Sequence, residues 1–364
     1  MRSARLTSRP TRNLGALTAR LLAGAWREDA LAVSLSPEDL AEITPLLLKS
    51  GCGALAWTRI GGTDLAASAA GVELRGAFHL HMLQAILREH ALTEAATALE
   101  AAGVEPLLGK GWAIACLYPD PGLRPYGDID LYATPEECDA VASAVAQLQE
   151  SAGGSSAMQA AACAVDLHRG FAELDDRSQD ELYRRSRRAS INAANIRLFS
   201  YEDNLRLACL HTLRHGAWRP LWLCDIAAAL EARPPDFDWA YFLSGDSRRS
   251  TWTACAIGLA HQLLGAMVDG TPVERQAKQV PGWAIRTVIR QWGTPFVAHG
   301  LRQPLGAHRR NPGTVLRGLV QRWPNAIEAT IGMKAPFNYW PRPPIQVGEC
   351  VRRLVGFARQ AASK

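Results

Sequence analysis

Apolar residues change their period twice along the chain, which divides it into three regions. From residue 15 to residue 102 they recur at helical spacing. Ser36-Pro37-Glu38-Asp39 is a capping box with proline at the first helical position, and it opens one such run. Leu83, Leu87, Ala91, Ala95 and Leu99 mark one face of a second helix, which Gly103 can terminate. This stretch reads as an all-helical lead-in.

From Val104 the pattern becomes short apolar runs alternating with helices. "VEPLLGKGWAIACLY" predicts a strand that ends in a Lys110-Gly111 turn and feeds a helix. "PDPGLRP" is a turn-rich loop and "YGDIDLYA" a strand. Thr134-Pro135-Glu136-Glu137 is another capping box, after which Cys138, Val141, Val145 and Leu148 lay one stripe of a helix against the sheet. "SAGGSS" at 151–156 is a turn, and "AMQAAACAVDLHRG" supplies a third strand carrying Asp166 and His168. Residues 103–199 thus form an αβ unit. Ser200-Tyr201-Glu202-Asp203 caps a further helix, and 200–364 keep helical periodicity broken by Pro and Gly, with "PFNYWPRPP" at 336–344 as an extended connector. The expected class is α+β: a helical N-terminal region at 15–102, a small mixed sheet with helices, and a helical C-terminal region.

Composition narrows this picture. The 364 residues are 48% hydrophobic and 21% charged, far from the regime of disordered chains. A net charge of +5 suits an anionic ligand without demanding nucleic acid. Eight cysteines lie scattered in apolar contexts with no CxxC, as reduced core residues of a cytoplasmic protein would, and signal no zinc site. Residues 1–14 read as a flexible basic tail, although their Arg- and Ser-rich, acid-poor composition also suits an organelle transit peptide. The uncharged run from Ser250 to Val268 is long enough to span a bilayer, but His261, Gln262 and its glycines and hydroxyl residues favour a buried helix, so no membrane is expected.

The candidate chemistry lies in "GLRPYGDIDLYA". Alternate side chains of a strand point the same way, so Asp128 and Asp130 project together while Ile129 and Leu131 face the opposite side. Two like charges side by side repel unless a divalent cation sits between them, and hard cations such as Mg²⁺ (or Mn²⁺) take carboxylate oxygens while leaving positions for phosphates. Asp166, on a neighbouring strand, would complete a two-metal site with the ions about 3.5–4 Å apart. The competing reading of the pair is a strand edge facing water, against which stand the tight Gly127 turn and the apolar neighbours.

Other residues have two readings each. Arg124 can reach a phosphate oxygen or pack on Tyr126 at the surface. His168 shares its face with Asp166 and can touch the metal site or the acceptor, or be a core histidine. His211 and His215 stand at i and i+4, with Asp225 on the next helix as a third ligand or a loop cap; core or nucleotide-contacting roles are preferred to a zinc site. Arg184, Arg185, Arg187 and Arg188 can attract an anionic acceptor or form the solvated face of a helix. Trp218, Trp222 and Trp239 read as core anchors rather than a base-stacking platform.

The run "LLGKGWAIACLYPDPGLRPYGDIDLYA", followed by "VDLHRG" and then "HTLRHGAWRPLWLCDIAAAL", resembles the uncharacterised bacterial nucleotidyltransferases of the DNA polymerase β-like superfamily over roughly residues 30–260. The resemblance implies a nucleotidyltransferase-type sheet and a Mg²⁺-dependent transferase that moves a nucleoside monophosphate from a nucleoside triphosphate, expected to be ATP. The acceptor, a small molecule, peptide or protein, is not identified by it. Asp128 and Asp130 match the metal-binding pair and Asp166 the third carboxylate. Lys110, Gly111, Arg124, Gly127, His168, His211, His215 and Asp225 are then nucleotide-binding candidates. One departure stands out: the superfamily's Gly-Ser turn, which holds the triphosphate, is replaced by Lys110-Gly111. A non-catalytic nucleotide- or partner-binding module of the same fold, and a metal-dependent phosphotransferase, are the alternatives.

Overall fold

The computed structural model describes residues 12–29, 33–151, 164–295 and 323–362. Helices α1 (Leu14–Leu22), α2 (Pro37–Ser50), α3 (Gly53–Ile60) and α4 (Ala69–Ala101) make up the lead-in. As the capping box predicts, the Ser36 hydroxyl accepts the Asp39 N–H at 3.1 Å and Pro37 is the first residue of α2. Gly103, with φ +69°, ends α4 by donating to the Glu100 carbonyl, and Val104 closes back on Leu99. Only the second half of the predicted α4 face is core: Ala91, Ala95 and Leu99 are buried, joined by Leu92 and Ala96, whereas Leu83 is 57% exposed. The first turns of α4 are buried as well, at Ala70, Gly71 and Leu74, where the helix packs on α3, and Leu83 falls between the two buried stretches.

Five strands follow: β1 (Leu107–Gly109), β2 (Asp128–Ala133), β3 (Ala164–Arg169), β4 (Arg187–Ile191) and β5 (Ala194–Leu198), in the order β3-β2-β1-β5-β4. β2 runs antiparallel to β1 and parallel to β3, β1 parallel to β5, and β4 antiparallel to β5. α5 (Gly111–Ala115) leaves β1 through the predicted Lys110-Gly111 turn. Thr134 accepts the Glu137 N–H ahead of α6 (Cys138–Ser151), whose Cys138, Val141 and Val145 are buried with Leu148 packed beside them. Of the predicted Gly/Ser turn, Ser151 is the last residue of α6, while 152–156, the first half of the third predicted strand, Cys163 and residues 1–11 lie outside the described residues.

The β4–β5 hairpin corrects the reading of the arginine run as one helix face. Arg184 and Arg185 end α7 (Gln179–Arg185), and Arg187 and Arg188 begin β4. Asn192, at φ 49°, turns the chain between β4 and β5. The strand alternation was masked there because both exposed and half-buried positions of β4 carry arginine.

The C-terminal region is helical: α8 (Tyr201–Arg214), α9 (Pro220–Glu231), α10 (Trp239–Leu243), α11 (Ser247–Leu264), α12 (Glu274–Ala277), α13 (Gly282–Trp292), α14 (Ala326–Gly332) and α15 (Pro343–Ala362). Ser200 caps α8 through the Asp203 N–H. α11 is buried on all sides from Trp252 to Ala260, which accounts for the long uncharged run. Among the described residues no helix is long and apolar enough to cross a membrane. The Pro-rich connector is irregular and bent rather than extended as far as Arg342, which bonds back to the Pro336 and Asn338 carbonyls, and its last two prolines already open α15. Five cysteines are buried, while Cys116 is exposed and Cys350 half-buried.

The sheet divides the core. Ile129, Leu131 and Ala133 of β2 pack with Leu108 and with α4 and α6 on one face. Leu107, Tyr132 and Phe199 join the larger cluster formed with α8, α9 and α11 on the other. Gly109 sits on this second face directly opposite Asp130, where an added Cβ would lie 3.0 Å from Leu207, Phe199 and Tyr132 alike. Gly109→Ala is therefore expected to cost about 1–3 kcal/mol, because three buried side chains must all retreat. Chemical denaturation of the variant beside the parent checks it, and an unchanged midpoint would show that the sheet yields freely at this point.

Candidate functional site

The face that holds Tyr132 also carries the acidic residues. The parallel β2–β3 register sets Asp130 beside Asp166 and Tyr132 beside His168. Asp128, at the start of β2, is opposite Ala164 and is exposed. Between this face and α8 and α9 lies a cavity of about 560 Å³. All of the predicted residues line it: Asp128, Asp130, Asp166, Lys110, Gly111, Arg124, Gly127, His168, His211, His215 and Asp225.

Asp130 is the most enclosed carboxylate of the acidic group, at 6% exposure. His168 Nε2 contacts its Oδ1 at 2.9 Å and lies 3.4 Å from Asp166 Oδ2. The imidazole is stacked on Tyr132 with ring centres 4.2 Å apart and planes 12° from parallel. One ligand atom from each of Asp130, Asp166 and His168 falls within 4.8 Å of the others, so these three could hold a cation together. Partial desolvation, and after it the charges of Asp130 and Asp166, raise the pKa of Asp128. Like-charge crowding is thus present in the folded chain.

Lys110 counters that crowding. Its Nζ lies 3.4 Å from Asp130 Oδ1 and 4.0 Å from Glu173, above the Tyr132 ring. The backbone at Lys110 has φ 47° and ψ −133°, a conformation that a side chain makes costly, and Gly111 follows at φ 21°. This turn directs the ammonium into the cavity.

Arg124 is not at the surface, and the guanidinium over the Tyr126 ring is that of Arg88. It is buried with Asp225, donating from Nε to Oδ1 at 3.1 Å and from Nη2 to Oδ2 at 2.8 Å, while the Tyr118 hydroxyl donates to Oδ1 at 2.8 Å. Burial opposes the charge of Arg124, but Asp225, with Tyr118 and Asp130, raises its pKa above the ordinary value.

The opposite wall is aromatic and basic. His211 and His215 stand 4.5 Å apart, and Trp222 meets His211 edge-on at 4.9 Å. Desolvation, followed for His211 by Lys110 and for His215 by Arg214, lowers both pKa values, so both rings are neutral near pH 7. With Asp225 occupied by Arg124, these histidines gain no third ligand among the described residues. Trp222, read from sequence as a core anchor, is half-buried and lines the cavity.

Sequence reasoning missed Glu173, Thr212, Arg214 and Arg219, which line the same cavity. Arg219 is the most telling of them. Its Nε donates to the Ser50 carbonyl at 2.7 Å, and among the described residues it has no carboxylate partner. Gly51, at φ +78°, makes room for it, since a Cβ there would come within 2.6 Å of Nη2. The signal was available in "RHGAWRPLW", where Arg214 and Arg219 bracket the turn between α8 and α9.

Removing one partner of a buried ion pair strands the other charge. Asp225→Asn is expected to destabilise the chain by about 3–5 kcal/mol, because Arg124 loses its counter-charge where water cannot replace it. Thermal and urea melts measure the cost. A loss under about 1 kcal/mol would mean that water reaches the pair after all.

Neither a curated protein nor a solved structure matches the chain. Residues 36–265, from the cap of α2 to the end of α11, match the family described as "Uncharacterised nucleotidyltransferase". That span includes every residue of the cavity wall, and the chain belongs to this nucleotidyltransferase family.

Proposed function

We propose that the cavity transfers a nucleoside monophosphate from a nucleoside triphosphate, expected to be ATP, to an acceptor, with a divalent cation held by Asp130 and Asp166 and supported by Asp128. The observation that carries this reading is the β2–β3 register, which sets two carboxylates from different strands side by side in a family of nucleotidyltransferases. The donor set suits the ion: two carboxylates close enough to share it, at the edge of an open cavity. When bound, such a cation supplies the positive charge that lets a polyphosphate approach these acids and that polarises phosphorus.

The chain's own residues do the rest. Lys110 presents its ammonium where a phosphate oxygen can replace Asp130 as its partner, and Arg219 offers a guanidinium that forms no salt bridge with a carboxylate among the described residues. In the transfer, an acceptor oxygen or nitrogen bonds to the α-phosphorus as the bond to the β-phosphate oxygen breaks, and pyrophosphate leaves with the electron pair. Asp166, at 55% side-chain exposure, is the carboxylate with room to take the acceptor's proton. Labelled ATP separates this from phosphoryl transfer, because only nucleotidyl transfer leaves the α-phosphate on the product.

Triphosphate binding should require Mg²⁺ or Mn²⁺, and calorimetry with and without EDTA tests that directly. Tight binding that ignores the chelator would remove the cation from the mechanism. Asp130→Asn and Asp166→Asn should each reduce transfer by about a thousandfold or more while folding persists, and the double variant should be hardly worse, as for residues that act as a unit. Normal turnover in Asp166→Asn would exclude it from the site.

Lys110→Ala should weaken triphosphate binding by about tenfold or more, equivalent to roughly 1.4 kcal/mol, whereas Arg184→Ala should change it by less than about twofold. Arg184 is solvated, with 69% of its side chain exposed. Lys110→Gly also removes the charge but suits the turn, so it should bind as poorly as the alanine variant and melt higher. Equal binding by the Lys110→Ala and Arg184→Ala variants would make the turn purely structural.

A further inference from the structure

We infer that His168 is itself a ligand of the cation, and that the site takes manganese(II) in preference to magnesium(II). This rests on the proposed cation site and specifies which ion it selects. The acid beside the Asp130–Asp166 pair is Asp128, but its register partner is Ala164, and it is not part of the three-residue group that converges within 4.8 Å. The third donor in that group is the imidazole nitrogen of His168, 2.9 Å from Asp130 Oδ1 and 3.4 Å from Asp166 Oδ2.

The ring is held in that pose. It stacks on Tyr132, its register neighbour on β2, and Tyr132 is itself only 1% exposed. The stack fixes the plane of the ring, and the contacts of Nε2 with Asp130 and Asp166 fix which edge faces the carboxylates. The 25% of the His168 side chain that remains accessible belongs to a residue lining the cavity. Nε2 and Lys110 Nζ both contact Asp130 Oδ1, and Lys110 has Glu173 at 4.0 Å as a second partner. Lys110 can therefore yield Oδ1 to a cation without losing all its counter-charge.

Ion preference follows from the donors. Two carboxylate oxygens and one imidazole nitrogen suit first-row ions, which accept nitrogen ligands, whereas Mg²⁺ favours oxygen donors and water in a strict octahedron. A wholly carboxylate site would show no such bias.

The test is pulsed electron paramagnetic resonance of Mn²⁺ bound to the full-length chain, together with Mn²⁺ and Mg²⁺ titrations by calorimetry. The parent should show ¹⁴N modulation from an imidazole and bind Mn²⁺ at least about tenfold more tightly than Mg²⁺. His168→Gln should lose the modulation and most of that preference while keeping its Mg²⁺ affinity. A His211→Phe/His215→Phe variant should retain the modulation, which assigns the nitrogen even if His168→Gln fails to fold. Absent modulation in the parent, modulation that survives in His168→Gln, or an unchanged preference would overturn His168 as a ligand and leave the cation-dependent transfer standing. Failure to bind either ion would overturn the transfer reading as well.

Discussion

A charge pair sealed inside the molecule, Arg124 with Asp225, fixes the spacing of the two cavity walls. Arg124 stands just ahead of the strand that carries the acids, and Asp225 belongs to α9 on the far side. Both Asp225 oxygens are used, each of them twice, so the joint is geometrically defined as well as charged. Buried pairs of this kind contribute little net stability against an apolar alternative, because both ions lose their water. Their value is in defining position. The wall bearing His211, Trp222 and Arg219 stands where it does relative to Asp130 because this joint permits few other arrangements.

The cavity has an unusual division of charge. Acids crowd the sheet wall, where Lys110 and His168 meet Asp130, and cations gather towards α8 and α9, where Arg214 contacts Glu173 and Arg219 forms no salt bridge among the described residues. A ligand that is itself negative fits only if it meets the acids through a cation and the helices directly. A polyphosphate satisfies both conditions. The neutral, aromatic corner formed by His211, His215 and Trp222 adds a surface suited to a planar ring.

Much of this was legible from alternation alone. Ile129 and Leu131 facing one way, with Asp128 and Asp130 facing the other, required only the period of a strand, and the core confirms it in the separation of Leu131 from Tyr132. The caps at Ser36 and Ser200 were equally readable, because each depends on residues three apart. What could not be read depends on distant residues meeting. Arg124 has one partner 101 positions away, and nothing near it distinguishes a buried arginine from a phosphate ligand. Leu83 carries the apolar period of α4 into the gap between its two buried stretches, and β4 conceals its alternation under arginines. Arg219 stands out beside its turn in the sequence, but the Ser50 carbonyl that holds it lies 169 positions away and shows only in the fold.

The parallel pairing of β2 with β3 also governs when the site comes into being. Parallel neighbours cannot be joined by a tight hairpin, so the chain must leave the sheet, form α6 and return before Asp166 meets Asp130. Closing such a loop costs entropy before the pairing returns anything, so this contact is slower to form than a hairpin such as β4–β5. A nascent chain that has only just released Asp128 and Asp130 from the ribosome thus holds two carboxylates and no pocket. Reactive assembly waits on completion of the sheet, and incomplete chains are kept from consuming nucleotide by topology alone.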